Sequence, residues 1–360
     1  MKNIIITDAK YRSSLAAVYS LAGKEYNIIL CQTDDYKKTP LSFSSKYASK
    51  TVFLSERNYS EELESLIRMY DRPVIIPIGA NTTELLSRER AKFSEICDFL
   101  VPSTEALDAA NDKKTVADTA RRLGIPVPEE ITEEPETYPV IIKPSCGEKF
   151  GLHAEERYIR ADSRDEYIAA MEKMKKYDPS PIVQEYIQGD AVGVCLLISP
   201  NGCTAGTVCH KRIRELPVTG GPSTCCETIN DDKLFNYSCQ LLKELNFQGV
   251  AMVEFKNGRL LEINPRVWGS FPLTYHCRSN FTENWIRCAA GEKFEAPEYK
   301  KNVKMNFIVN DTVAAFKYLS HGKFSKFFGA VKDILNPCVK EALFSFNDPL
   351  PFFTYIKNLF

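Results

Sequence analysis

The run Val250–Ser270, VAMVEFKNGRLLEINPRVWGS, constrains this chain more than any other stretch. Two strand-like segments flank Lys256-Asn257-Gly258, a strong turn signal, so the run reads as a β-hairpin. Register then decides its chemistry. A two-residue Asn-Gly turn pairs Lys256 with Arg259 and puts Glu254 and Glu262 on opposite faces. A three-residue loop with Gly258 left-handed pairs Phe255 with Arg259 instead. That register gathers Ala251, Val253, Phe255, Leu261 and Ile263 on one apolar face and leaves Glu254, Glu262 and Asn264 on the other. The three-residue loop is expected, because a one-residue slip pushes Glu262 into the core.

Two carboxylates diagonally across a strand pair repel unless something positive sits between them. Oxygen donors of this kind suit Mg²⁺, which takes one or two protein carboxylates and completes its shell with water and substrate phosphates. Arg266 lies two residues beyond Asn264, where a guanidinium can meet a phosphate or carboxylate bidentately. The plain alternative is a solvated polar sheet face. The full order Glu254…Glu262-x-Asn264-Pro265-Arg266 argues against it.

VEF followed by LEINPR and then WGS resembles the metal-binding hairpin of the ATP-grasp superfamily, and most of all its carboxylate–amine ligase members. The resemblance covers roughly residues 1–295. It implies a mixed α/β and α+β fold: an N-terminal Rossmann-like α/β (pre-ATP-grasp) domain over 1–105, then a two-subdomain ATP-grasp fold over 106–295, divided into 106–187 and 188–295. A short helical C-terminal tail, 296–360, follows. The residues of the first part fit. Lys2–Thr7, Asn27–Cys31, Thr51–Leu54 and Val74–Ile78 read as strands between helical runs. The turn after the first strand, Thr7-Asp8-Ala9-Lys10-Tyr11-Arg12, lacks the glycines that let a pyrophosphate approach the backbone, which argues against nicotinamide binding.

The resemblance also assigns roles along the chain. Lys113 follows a helix-capping Asn111-Asp112 and precedes a Gly124-Ile125-Pro126 exit; it is the expected first nucleotide-contacting lysine, the alternative being a solvated surface residue. Lys143 ends an apolar strand and is the expected second lysine. The loop after it carries Gly147, whose backbone is expected to fold over phosphates. Pro181–Ile187 is expected as the hinge, with Glu185, Tyr186 and Ile187 at the adenine edge and Asp190 near the ribose. His210–Ser223 reads as a basic surface loop closed by Gly220-Gly221, from which Arg212 is expected to meet a phosphate or acyl-phosphate. Cys225 and Cys226 read as packing residues.

Composition narrows the remaining classes. A formal net charge of −1 gives no global field to recruit nucleic acid. Twelve scattered cysteines without a Cys-x-x-Cys pattern read as reduced thiols and not as a disulfide framework or zinc site. The start, MKNIIITDAK, has a short apolar run broken by Asp8 and does not read as an export signal; no run reaches transmembrane length. The cytoplasm is the expected compartment. The segment 301–360 holds eight lysines against Asp311, Asp333, Glu341 and Asp348. Its aromatics, among them Phe327, Phe328, Phe352 and Phe353, read as docking contacts, with membrane attachment as the alternative.

The expected activity is that of an ATP-dependent ligase. ATP and Mg²⁺ (Mn²⁺ as an alternative cation) would activate a small-molecule carboxylate as an acyl-phosphate, which an amine attacks. Arg266 and Arg212 would stabilise the carboxylate and the developing charge. A different acceptor outcome (thioester formation or carboxylation) and a regulatory module that binds nucleotide without turnover are the rival readings. A homodimer is open to it; the sequence does not name the acid or the amine.

Overall fold

The computed structural model describes residues 1–145, 158–218 and 220–359. Its first sheet is parallel, with strands β1 (Lys2–Ile6), β2 (Tyr26–Thr33), β3 (Lys50–Leu54), β4 (Val74–Ile76) and β5 (Asp98–Phe99) in the order β3-β2-β1-β4-β5. The β1, β2 and β4 sequences are short runs of Ile, Leu and Val, as buried parallel strands require. Helices α1 (Arg12–Leu21), α2 (Tyr59–Ile67), α3 (Ala80–Arg88), α4 (Arg90–Ser94) and α5 (Thr104–Asn111) accompany it. The sheet reverses direction between β1 and β4, the crevice where such folds bind nucleotides. Here Asp8, at φ 57°, turns its own carboxylate into that crevice. It accepts from the Gly79 N–H at 2.9 Å and the Thr82 hydroxyl at 3.0 Å, at the start of α3. An internal carboxylate thus takes the place a phosphate would need.

Helix α6 (Lys113–Arg122) leads to a three-stranded antiparallel sheet of β6 (Val140–Lys143), β7 (Ile159–Ala161) and β8 (Ile182–Glu185), ordered β7-β6-β8, with α7 (Arg164–Met174) packed on it. The largest sheet has seven strands: β9 (Ala191–Ile198), β10 (Thr204–Glu215), β11 (Ser223–Thr228), β12 (Gly249–Lys256), β13 (Arg259–Asn264), β14 (Lys304–Asn306) and β15 (Lys340–Glu341). Their order is β13-β12-β9-β10-β11-β14-β15. Helix α8 (Asp232–Glu244) covers one face, with Leu234, Leu241 and Leu242 against Val194, Leu196, Ala251, Val253 and Phe255. Helices α9 (Pro272–His276) and α10 (Phe281–Ala289) join the other face to the N-terminal sheet. In that shared core Leu197, Met252, Trp268 and Trp285 meet residues such as Ile4, Ile6 and Val18, and the Trp285 indole donates to the Leu100 carbonyl at 3.1 Å. The C-terminal segment is not the purely helical tail expected: it adds β14 and β15 to the seven-stranded sheet as well as α11 (Ile308–Ser320), α12 (Phe324–Ile334) and α13 (Leu350–Leu359). Among the described residues no helix is long and apolar enough to cross a membrane.

Two expectations change. The hairpin closes on a two-residue turn: Lys256 pairs with Arg259, and both Asn257 (φ 47°) and Gly258 (φ 75°) are left-handed. That is the geometry an Asn-Gly pair favours between twisted strands. The additional residue is absorbed one step later, as a bulge: Phe255 faces Leu260 and Glu254 faces Glu262, leaving Leu261 unpaired. Leu260, not Leu261, therefore enters the core. Second, His210–Glu215 is not a surface loop but the continuation of β10, paired with β11.

Candidate active site

The β12–β13 hairpin and β10 build the floor of the site on one face. Glu254 and His210 both lie opposite Gly193 of β9, and the bulge at Leu261 restores Glu262 and Asn264 to the same side. The sequence expectation for this triad is met by a different turn. Asn264 is buried, and its amide Nδ2 donates to Glu254 at 3.0 Å and to Glu262 at 3.5 Å. The chain's own cations flank the pair: Lys113 Nζ lies 3.5 Å from Glu262, and Arg212 Nη2 lies 3.4 Å from Glu254. Arg212 is also 3.4 Å from Glu215.

Burial is the largest influence on Glu254 and pushes its pKa up; Arg212 opposes the shift and Glu262 adds to it. A half-buried like-charged pair of this kind gains from a cation. Two carboxylates with an amide oxygen are a donor set that fits Mg²⁺, with positions left for water and phosphate. No group of three or more His, Cys, Asp or Glu suited to a metal occurs among the described residues.

Helix α6 and the three-stranded sheet bring the lysines. Asp112 caps α6 by accepting from the Thr115 N–H at 2.6 Å, which presents Lys113 at the first helical position. Its Nζ donates to the Pro144 carbonyl at 3.4 Å and its own N–H to Ser145 at 3.2 Å, tying α6 to the end of β6. Lys143, the last residue of β6, is 9% exposed. Burial and the neighbouring Lys113 lower its pKa to about 7, against the pull of Glu262 and Glu130. Gly147 and its loop lie outside the described residues.

The hinge residues divide. A groove of about 270 Å³ runs beside Glu185, Tyr186 and Ile187 to Asn257 and Arg259. The Glu185 carboxylate accepts from the Glu129 N–H at 2.8 Å and pairs with Arg259, so its side chain bridges the hinge to the hairpin. Tyr186 has Arg160 at 4.3 Å and Lys256 at 5.0 Å from its ring centroid. Asp190 is not brought to this groove. It lines a second basin of about 520 Å³ with Lys211, Asp231 and Lys233, on the other side of the hairpin turn. Arg266, just past β13, donates to the Val267 carbonyl at 3.0 Å.

Three features lay beyond the sequence reading. His210 is buried and shares a 3.0 Å hydrogen bond with the Ser270 hydroxyl; burial, then Arg212, lowers its pKa to about 4. Gly193 makes room for that ring, since a Cβ there would lie 2.7 Å from His210 Cε1. Arg214 leaves the site and enters a buried network with Asp311 and Asp333. The available signal for His210 was the strand-like run Gly202–Cys209, had the strand been carried past Cys209. For Arg214, whose partners lie about a hundred residues on, there was none.

Residues 110–270 match the family described as ATP-grasp domain, the span that holds both lysines, the hinge and the hairpin. The sequence is 25% identical over 284 residues to the carbamoyl phosphate synthase large chain of Archaeoglobus fulgidus, across 71% of this chain and 25% of that one. It is 26% identical over 197 residues to the 3-methyl-D-ornithine–L-lysine ligase of Methanosarcina barkeri, across 54% of this chain and 47% of that one. The chain thus spans at most about half the length of these relatives. Among solved structures, the biotin carboxylase domain of Hydrogenobacter thermophilus 2-oxoglutarate carboxylase with MgADP shares the fold. Its TM-score is 0.64 at 14% identity, over 84% of this chain and 73% of that one.

Proposed function

We propose that this ATP-grasp domain activates a small-molecule carboxylate as an acyl-phosphate and joins it to an amine, releasing ADP and phosphate. The observation that carries the reading is the convergence of Glu254, Glu262 and Asn264 from one subdomain with Lys113 and Lys143 from the other. Mg²⁺, when bound, would offset phosphate charge as the γ-phosphoryl moves. Glu254, Glu262 and the amide oxygen of Asn264 are the groups that would hold it. Lys113 and Lys143 supply positive charge to the nucleotide phosphates, and Arg212 is placed to exchange Glu254 for a phosphoryl oxygen. Arg266 would orient the acceptor carboxylate. The backbone of Glu185–Ile187 borders the groove assigned to the base, and Asp190 has no part in that groove. No side-chain nucleophile is needed. The Ser270–His210 contact joins two buried side chains and is not offered to a substrate.

The amine-ligating relative from Methanosarcina supports the amide outcome over carboxylation. Doubly ¹⁸O-labelled acids tested with MgATP and amines distinguish the steps. Transfer of one ¹⁸O from the acid to the released phosphate is expected, because the acyl C–O bond breaks when the amine attacks. Amide formation with no label in phosphate would refute the acyl-phosphate route.

A further inference from the structure

The C-terminal helices α11 and α12 carry a surface that the proposed reaction does not use. Phe324, Phe328, Val331 and Leu335 recur at spacings of four, three and four, which places them on one side of α12 and its C-terminus. All four are exposed, Phe328 at 65% and Leu335 at 77%. Val313 and Phe316 extend the patch onto α11, with the Phe316 and Phe327 rings 6.1 Å apart and Phe327 against Phe328 at 5.3 Å. Phenylalanines gathered in this way are not the scattered apolar residues of an ordinary surface.

Charge is sorted across the same two helices. Between Ile308 and Leu335 the acidic residues are Asp311 and Asp333, and both point inward to Arg214. Lys317, Lys323, Lys326 and Lys332 are all exposed, as is His321. Lys326 also reaches the Ile213 carbonyl at 2.6 Å, and Lys323 lies 5.7 Å from the Tyr318 ring. The outer face is therefore aromatic and aliphatic with a lysine rim and no carboxylate of its own helices.

We infer that this face docks on an anionic lipid bilayer, with the phenylalanines in the interface and the lysines at the headgroups. Apolar side chains rimmed by lysine are what such a surface selects. A second copy of the chain is a poor occupant, because apposing two such faces brings their lysines together. The length and hydropathy of the helices leave them lying on the membrane and not across it.

The test is co-sedimentation of the full chain with phosphatidylcholine vesicles, with and without phosphatidylglycerol, at two ionic strengths. Binding is expected on the anionic vesicles, weaker in high salt. Phe324→Ser with Phe328→Ser should weaken it about a hundredfold, since each buried phenylalanine contributes about one decade. Replacing Lys332 with Ala should weaken it about fivefold. Unchanged thermal melting of the variants confirms that they fold. Three results would overturn the inference: no binding to anionic vesicles, binding indifferent to the phenylalanines, or a solution dimer that the same substitutions dissolve. Capture by polyglutamate as tight as by anionic vesicles would do so as well, and would assign the face to an acidic protein.

Discussion

Arg214→Ala tests how the C-terminal helices are held to the seven-stranded sheet. Arg214 is 2% exposed; its Nε and Nη2 donate to the two oxygens of Asp311 at 2.9 and 2.7 Å, and Nη1 donates to Asp333 at 2.9 Å. Removal leaves the two aspartates in different situations. Asp333 keeps Lys304 at 3.1 Å. Asp311, fully buried, keeps the Thr224 hydroxyl at 2.8 Å but loses its bidentate charge partner. One uncompensated buried carboxylate sets the cost at about 3–5 kcal/mol. If α11 and α12 open as a unit, that cost speeds exchange of their amides by about a hundred- to a few thousandfold, while β1 in the N-terminal sheet is unaffected. Hydrogen exchange read by mass spectrometry on peptides covering 308–334 and 2–6 measures both. The triple variant Arg214→Met, Asp311→Leu, Asp333→Leu should recover most of the loss, because buried ion pairs add little over well-packed apolar groups. Acceleration below tenfold in the single variant, or equal acceleration in both peptides, would refute the reasoning.

Other perturbations separate the site's electrostatics from its packing. Lys143 has a folded-state pKa of about 7, below the ordinary lysine value, so its charge opposes folding. The cost is fully present below pH 7 and disappears as pH rises towards the unfolded value, so the unliganded protein gains stability over that window. Lys143→Met should flatten this rise in denaturant titrations across pH 6–10 while weakening ATP binding by about tenfold or more, the value of a charge-assisted hydrogen bond; an unchanged pH slope contradicts the assignment. Gly193→Ala forces a Cβ against the buried His210 ring and should cost about 1–3 kcal/mol with a fall in turnover, read by thermal melting and ADP release. Gly258→Ala meets no atom within 4 Å, and its cost of about 1–2 kcal/mol comes only from the left-handed backbone. It should lower stability and leave turnover intact.

The hairpin was legible because its chemistry and its periodicity agree: apolar residues alternate with Glu254, and Glu262 and Asn264 share a side. The turn was misread because a bulge can restore the face that a two-residue turn removes, and nothing local in Arg259-Leu260-Leu261 marks which residue will be left unpaired. The helix cap before Lys113 and the strand end at Lys143 were local signals for the elements, but the lysines' roles came only from the resemblance; the structure brings the first to Glu262. Glu185 was expected at the adenine edge, and the sequence does not show that Arg259, from a different sheet, stands beside it. Asp190 was expected near the ribose from the resemblance alone, and it lines the second basin, which meets the groove only at Asn257. The longest-range feature, Arg214 with Asp311 and Asp333, depends on a tail whose packing no local pattern encodes.

The central claim is ATP-driven activation of a carboxylate at the Glu254–Glu262–Asn264 hairpin. The most direct measurement is ADP release with MgATP and a panel of carboxylic acids, with hydroxylamine as the amine and Glu262→Gln as the control. The account predicts ADP and hydroxamate in equal amounts with a particular acid, and a fall on the order of 10²-fold or more in the variant. ADP release that needs no acid, or hydroxamate formation undiminished by Glu262→Gln, would contradict it.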